Sequence, residues 1–576
     1  MTSMKNSKNY FSKISGVIGL SVVSCVAYAQ ATPDAGSLLR QTERDLNPQR
    51  APAAQVRREV LKSSVVKPGE TSVTVTQFKF VGNTMLSDAQ LQAAVAPYLN
   101  QALTFAQLQQ VTDAATNAYR EAGWLVRTFL PAQKITNGVF TIQVEEAVFG
   151  KVVLVDAPQR VDAAVLKGFV DAAQVAGAPL SAKKIDRALL LLGDLPGVIV
   201  AGNLIEGEKP SETDILIKAV DGSALAGNVS VDNYGSRSTG VERVLASLNI
   251  NGPLQLGDQL GLTALKTQGS DYQRVGFTLP VGYDGLRAGA HATHLSYGLV
   301  GDFASMGSNG SSLSTGLDVS YPLLRSQPTN INLMANYEQK RFDNNNLSGS
   351  VSHYNIDVYS IGVNANQLDN WNGGGMSNAS ATLTTGQVNL DGSANQSTDT
   401  NGPATAGNFA KLSLSLSRLQ KLDTTLSAYV AVNMQMANKN LDSSERMYLG
   451  GASGVRAYPS SEGGGSQGNT FTAELRQQLS SHYTVTGFYD RGHVQAFKNN
   501  AYADGSGSLN SGSTSNNYTL SGYGASLAWQ SHTGTELRAT IARRIGTSPL
   551  ANTTSGNDGD GTRKLNRLWL NASVNF

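Results

Sequence analysis

From Gly227 onward helical periodicity vanishes, and apolar and polar residues alternate one by one to the end of the chain. Leu412, Leu414 and Leu416 fall on one face, with Lys411, Ser413, Ser415 and Ser417 on the other. At the C-terminus Leu568, Leu570, Ala572, Val574 and Phe576 oppose Arg567, Asn571, Ser573 and Asn575. A period of two commits these 350 residues to β-strands. It leaves two architectures, a sandwich whose apolar face is a core and a membrane barrel whose apolar face meets lipid.

The connections separate the two. About sixteen strands can be counted, the first starting near Asn228 and the last near Lys564, an even number within the bacterial barrel range. Every second connection is short, as at Tyr283-Asp284-Gly285, Lys421–Asp423 and Ser531–Gly534. Several of the others are long and polar: Gly301–Gly310, Asp343–His353, Asp391–Gly407, Leu441–Gly468, Lys498–Asn517 and Thr547–Gly561. Short turns at one end and long loops at the other are the mark of an outer-membrane barrel, and a sandwich has no reason to sort its loops this way. Phe576 fits the aromatic C-terminal residue that serves such barrels as an assembly signal.

The rest of the composition agrees. Only 15% of residues are charged and 59 are glycine, yet no stretch after residue 30 is long and apolar enough for a membrane helix. Residues 1–29 have the form of a signal peptide: Lys5, Lys8 and Lys13, an apolar run from Ile14 to Val26, then Ala27-Tyr28-Ala29. Val22-Val23-Ser24-Cys25 is a poorer, lipoprotein-type alternative. Removing the leader takes away the only cysteine, Cys25, and moves the formal charge from +2 to −1. That excludes thiol chemistry and argues against a nucleic-acid partner held by bulk charge.

Ser37–Asn47 reads as a short amphipathic helix, followed by a polar, proline-containing linker. Residues 72–147 then read as strand, two helices and two strands, with capping boxes at Ser87/Gln90 and Thr104/Gln107 and a helix stop at Gly123. Residues 148–221 repeat the order. Such units are either spacers or peptide acceptors. The second reading uses an exposed sheet edge, with Val198, Ile199, Val200 and Leu204 the candidate residues for strand addition.

Catalytic or metal-binding constellations are not evident. His291 and His294 lie on opposite faces of a strand, and the G-x-S-x-G and G-x-G-x-x-G strings in 463–468 sit in a glycine tract without the strand-turn-helix context they need. The informative pair is Arg456, at the centre of the glycine-rich 450–468, and Asp490. In the strand Tyr483–Val494, Thr484, Thr486, Phe488, Asp490 and Gly492 share one face, and the threonines mark it as lumenal. An aspartate there can receive an arginine from a long loop as a bidentate fork, unless both stay solvated in a wet lumen.

Taken together, the order of segments resembles a two-partner secretion transporter of the TpsB family, the haemolysin secretion/activation proteins within the POTRA-plus-barrel superfamily. Val455-Arg456-Ala457-Tyr458 resembles that family's V-R-G-Y motif at the tip of the sixth extracellular loop, with Ala457 in place of glycine. Phe488-Tyr489-Asp490-Arg491-Gly492 resembles its F-x-D-x-G motif on the thirteenth strand. The resemblance implies a signal peptide at 1–29, a plug helix and linker at 30–71, POTRA domains at 72–147 and 148–221, and a sixteen-stranded barrel at 222–576 with loop 441–468 folded inward and anchored by Arg456, Asp490, Val455, Tyr458, Phe488 and Gly492. It implies an outer-membrane protein with its POTRA domains in the periplasm. That protein binds an unfolded TpsA-type exoprotein, a haemolysin or adhesin for example, and exports it through the barrel. It works as a monomer in outer-membrane lipid, is installed by the barrel assembly machinery, and needs no cofactor, metal or nucleic acid. Two alternatives share parts of the pattern: an assembly factor or insertase of the same superfamily, which usually carries more POTRA units, and a general porin, which has no use for residues 72–221.

Overall fold

The structure, a computed structural model, describes residues 33–46, 73–134, 138–460, 462–499, 516–552 and 555–576. The signal-peptide reading and the linker lie outside the described residues.

After helix α1 (Ala35–Leu46), the first small unit is a three-stranded sheet, with Gln77–Val81 parallel to Val139–Glu146 and Val126–Phe129 antiparallel to it. Helices α2 (Asp88–Val95) and α3 (Phe105–Ala122) cover one face. Both expected capping boxes form, at Ser87/Gln90 and Thr104/Gln107, and Gly123 ends α3 at φ 93°, a left-handed conformation that glycine adopts without strain. The second unit repeats the topology: Val148–Val155 runs parallel to Glu212–Asp221, and Val198–Glu206 pairs with the latter as an edge strand. Helices α4 (Ala163–Ala173) and α5 (Ala182–Gly193) bury Leu166, Phe169, Ile185 and Leu192 against it. Backbone hydrogen bonds Leu125 N→Leu180 O and Leu180 N→Ala147 O join the two units.

Sixteen antiparallel strands then close into a barrel, from Leu225–Asp232 to Asn566–Asn575, and the last pairs with the first. The second small unit sits on the short-turn rim. Arg325 forks onto Asp194 at 2.7 Å through both nitrogens, and Phe169 meets Tyr283 edge to face at 5.8 Å. The outward faces carry exposed apolar side chains, as at Leu568, Leu570 and Val574, while the inward faces are polar or packed against the lumen contents.

One expected loop is a strand pair instead. Asp343–His353 continues the seventh strand (Thr329–Asn346) and the eighth (Gly349–Asp369), which pair Asp343 with His353 and turn only at Leu347 and Ser348. Eighteen and 21 residues are more than a bilayer requires, so the hairpin rises clear of the apolar layer. There neither face needs apolar residues, and polarity stops signalling a loop.

Candidate functional site

The eleventh strand (Leu426–Ala437) and the twelfth (Gln467–Gln478) are joined by the sixth odd-to-even loop, which does not stay outside but folds into the lumen. On the thirteenth strand (Tyr483–Gln495) the buried face is Thr486, Phe488, Asp490, Gly492 and Val494. Thr472 lies directly opposite Asp490 in the register and donates its hydroxyl to Asp490 Oδ1 at 3.1 Å.

Arg456 lands on this wall. Its Nε donates to Asp490 Oδ2 at 2.8 Å and its Nη2 to Asp490 Oδ1 at 2.7 Å, a bidentate fork, and its backbone N–H adds a third bond at 3.2 Å. Nη1 donates to Glu474 Oε1 at 2.9 Å, and Glu474 also pairs with Arg476. The guanidinium carbon stands 3.4 Å above the centre of the Phe488 ring, a cation–π stack. From the sixteenth strand, Trp569 Nε1 donates to the Arg456 carbonyl at 2.7 Å. The Asp490 side chain is 1% exposed. A charge sealed that well is tolerable only with its partner in place, and removing one member of such a pair costs about 3–5 kcal/mol.

Packing closes around the pair. Val455 and Tyr458 are buried with Leu449, Val494 and Leu520. Gly492 leaves room for them: a Cβ there would stand 2.9 Å from Leu449 Cδ2. Ala457, where the resembling motif has glycine, is not among the residues at positive φ. Its methyl is fully buried against Gly522 of the fourteenth strand, where any side chain would overlap it. The alanine is thus accommodated by a glycine on the wall.

The remaining expected positions are more dispersed. Val198, Ile199, Val200 and Leu204 do lie on the edge strand, but Val198 and Val200 point into the helix-covered core, leaving Ile199 and Leu204 exposed. Phe576 exchanges backbone hydrogen bonds with Gly227 at the barrel seam, its ring 61% exposed.

Helix α1 (Ala35–Leu46) also occupies the lumen. Ala35, Leu38 and Leu39 pack on Tyr272, Leu295, Phe342 and Tyr354, and its polar side grips the sixth loop: Arg44 donates to the carbonyls of Tyr448 (2.6 Å) and Gly450 (2.9 Å). Asp45 receives Arg243, which also holds Asp232. Among these, Glu474 was accessible to sequence reasoning, since it shares its strand face with Thr472. Trp569, Arg44 and Arg243 carry no local signal.

The profile of the family described as haemolysin secretion/activation protein ShlB/FhaC/HecB matches residues 211–518, and that of the ShlB-type POTRA domain matches 73–147. The chain is similar to the heme/hemopexin transporter protein HuxB of Haemophilus influenzae strain 86-028NP, 25% identical over 93% of this chain and 95% of the relative. It is similar to the outer membrane transporter CdiB of Dickeya dadantii, 23% identical over 74% and 77%. In fold it is similar to CdiB from Escherichia coli, with a TM-score of 0.70 at 20% identity over 95% of this chain and all of that one.

Proposed function

The chain belongs to the ShlB/FhaC/HecB family of haemolysin secretion/activation proteins, outer-membrane transporters that export a TpsA-type exoprotein through the barrel, and on that premise we propose that its export depends on the sixth loop being pinned by Arg456 to Asp490. The observation that supports this reading is the bidentate fork on a carboxylate that is 1% exposed. A loop fixed this firmly gives the emerging polypeptide one constant wall in the lumen.

In this reading the periplasmic POTRA units receive the unfolded exoprotein, and its extended segment adds to the edge strand Val198–Glu206, where Ile199 and Leu204 meet its side chains. Helix α1 plugs the resting lumen and leaves during export. Phe576 is read by the assembly machinery, the outward apolar belt meets lipid, and the protein works as a monomer. No catalytic step, cofactor or nucleic acid enters the reading.

The test is to ask whether a neighbouring reading frame encodes a large exoprotein with an N-terminal secretion domain, and to co-express the two. Deleting residues 73–147 is expected to stop the exoprotein's appearance in the medium while purified channels still conduct in planar bilayers. Continued export would reduce the first unit to a spacer.

A further inference from the structure

The sixth loop has a second buried charge cluster, away from its tip. Glu445 lies in the short turn Ser443–Glu445 and is 3% exposed. Its Oε1 accepts from Lys340 Nζ at 2.9 Å and its Oε2 pairs with Lys411 Nζ at 2.6 Å, lysines from the seventh and tenth strands. The Glu445 carbonyl accepts from Lys411 Nζ at 3.0 Å and from Gln435 Nε2 at 3.1 Å. Lys340 leans further to Glu338 at 3.4 Å. Both lysine side chains are nearly sealed, at 6% and 4% exposure; Glu445 is the carboxylate they share, with Glu338 a second partner for Lys340 alone.

The same turn is where α1 rests. Ser443 Oγ donates to Asp34 Oδ2 at 2.8 Å, and Arg40 reaches the Arg446 carbonyl at 3.4 Å. Gly36 lies so close that a Cβ on it would stand 2.6 Å from Ser443 Oγ and 3.1 Å from Ser444 N. The turn is therefore clasped between wall lysines on one side and a glycine-thin stretch of helix on the other.

We propose that Glu445 is a second anchor of the sixth loop, on a different arc of the wall from the Arg456 anchor, and that the turn it fixes is the seat of α1. Removing the Glu445 charge frees the turn, unseats the helix and opens the resting channel. This rests on the export reading only for its biological meaning, because resting conductance needs no exoprotein. Failure to find an export partner would leave the conductance result standing.

The experiment is single-channel recording of the purified full chain in planar bilayers, with heat-modifiable migration reporting the folded barrel. Glu445→Gln is expected to raise open probability about tenfold, the change a 1.4 kcal/mol shift produces. Glu445→Asp, which keeps the charge on a shorter stem, is expected to fall between. A folded Glu445→Gln channel with wild-type open probability would overturn the proposal. If that variant does not assemble, Asp34→Cys with Ser443→Cys decides, since the mature chain otherwise lacks cysteine. Oxidation is expected to close the channel and reductant to reopen it; conductance indifferent to reductant would overturn the proposal equally.

Discussion

The two buried charge clusters of the sixth loop are built on opposite plans. At the tip one arginine on the loop meets two carboxylates on the wall, Asp490 and Glu474, and stacks on Phe488. At the base one glutamate on the loop meets two lysines on the wall, Lys340 and Lys411. The tip uses the planar guanidinium, which bonds bidentately and tolerates an apolar neighbour. The base uses ammonium groups, which attract as point charges and fix direction less well. The difference separates a firm, directional lock from a charge clamp that holds by attraction more than by geometry.

The sharpest way to break this contrast is to invert the tip. Asp490→Arg sets two guanidiniums against each other in a sealed site, a local penalty expected to exceed about 3 kcal/mol. Export should disappear and conductance should become unstable, and adding Arg456→Asp should restore part of both. Recovery absent, with both chains folded, would mean that the wall position matters for a reason other than charge pairing.

A smaller effect is expected from the aromatic. Phe488→Leu keeps apolar volume under Arg456 but removes the cation–π stack, worth about 1–2 kcal/mol when desolvated. Export should fall severalfold while the barrel stays heat-modifiable. Full export would show that the two carboxylates suffice, erasing one difference between tip and base.

A further effect is expected on pH. Glu462, on the returning limb of the loop, is buried, and its Oε1 has no hydrogen-bond partner among the described residues. Burial, then the nearby Asp558 charge, pushes its carboxyl up to about 8. A raised carboxyl pKa weakens docking as pH rises: nothing is lost below the ordinary value of 4.5, the loss grows up to about 8, and it levels off above. Open probability should climb across that window, and Glu462→Gln should flatten the climb. A flat wild-type profile would remove Glu462 from the loop's energetics.

The tip was legible in the sequence and the base was not. Strand alternation put Asp490 on the lumenal face, strand counting put Arg456 in the sixth odd-to-even connection, and the resemblance to the family's two motifs joined them, so both members could be named without coordinates. Glu445 meets lysines 105 and 34 residues before it, and nothing in the periodicity of either strand selects them. Asn344, which accepts the Ala35 N–H at 2.9 Å and so helps seat α1, lay in a segment read as loop because it is rich in asparagine and serine. It belongs to a hairpin above the apolar layer, where polarity no longer distinguishes strand from turn. Ala457 shows the same limit at a single residue: the compensating Gly522 is 65 positions away and adjacent only once the barrel has closed.

The most direct measurement is export by Arg456→Ala, with exoprotein in the medium normalised to folded barrel in the outer membrane. Loss of the fork leaves Asp490 sealed and unpaired, so the loop should leave its site and export should drop to about a tenth or less, the scale of a local loss above 1.4 kcal/mol. Export equal to wild type from an equally folded barrel would contradict the central claim that this one contact sets the working position of the sixth loop.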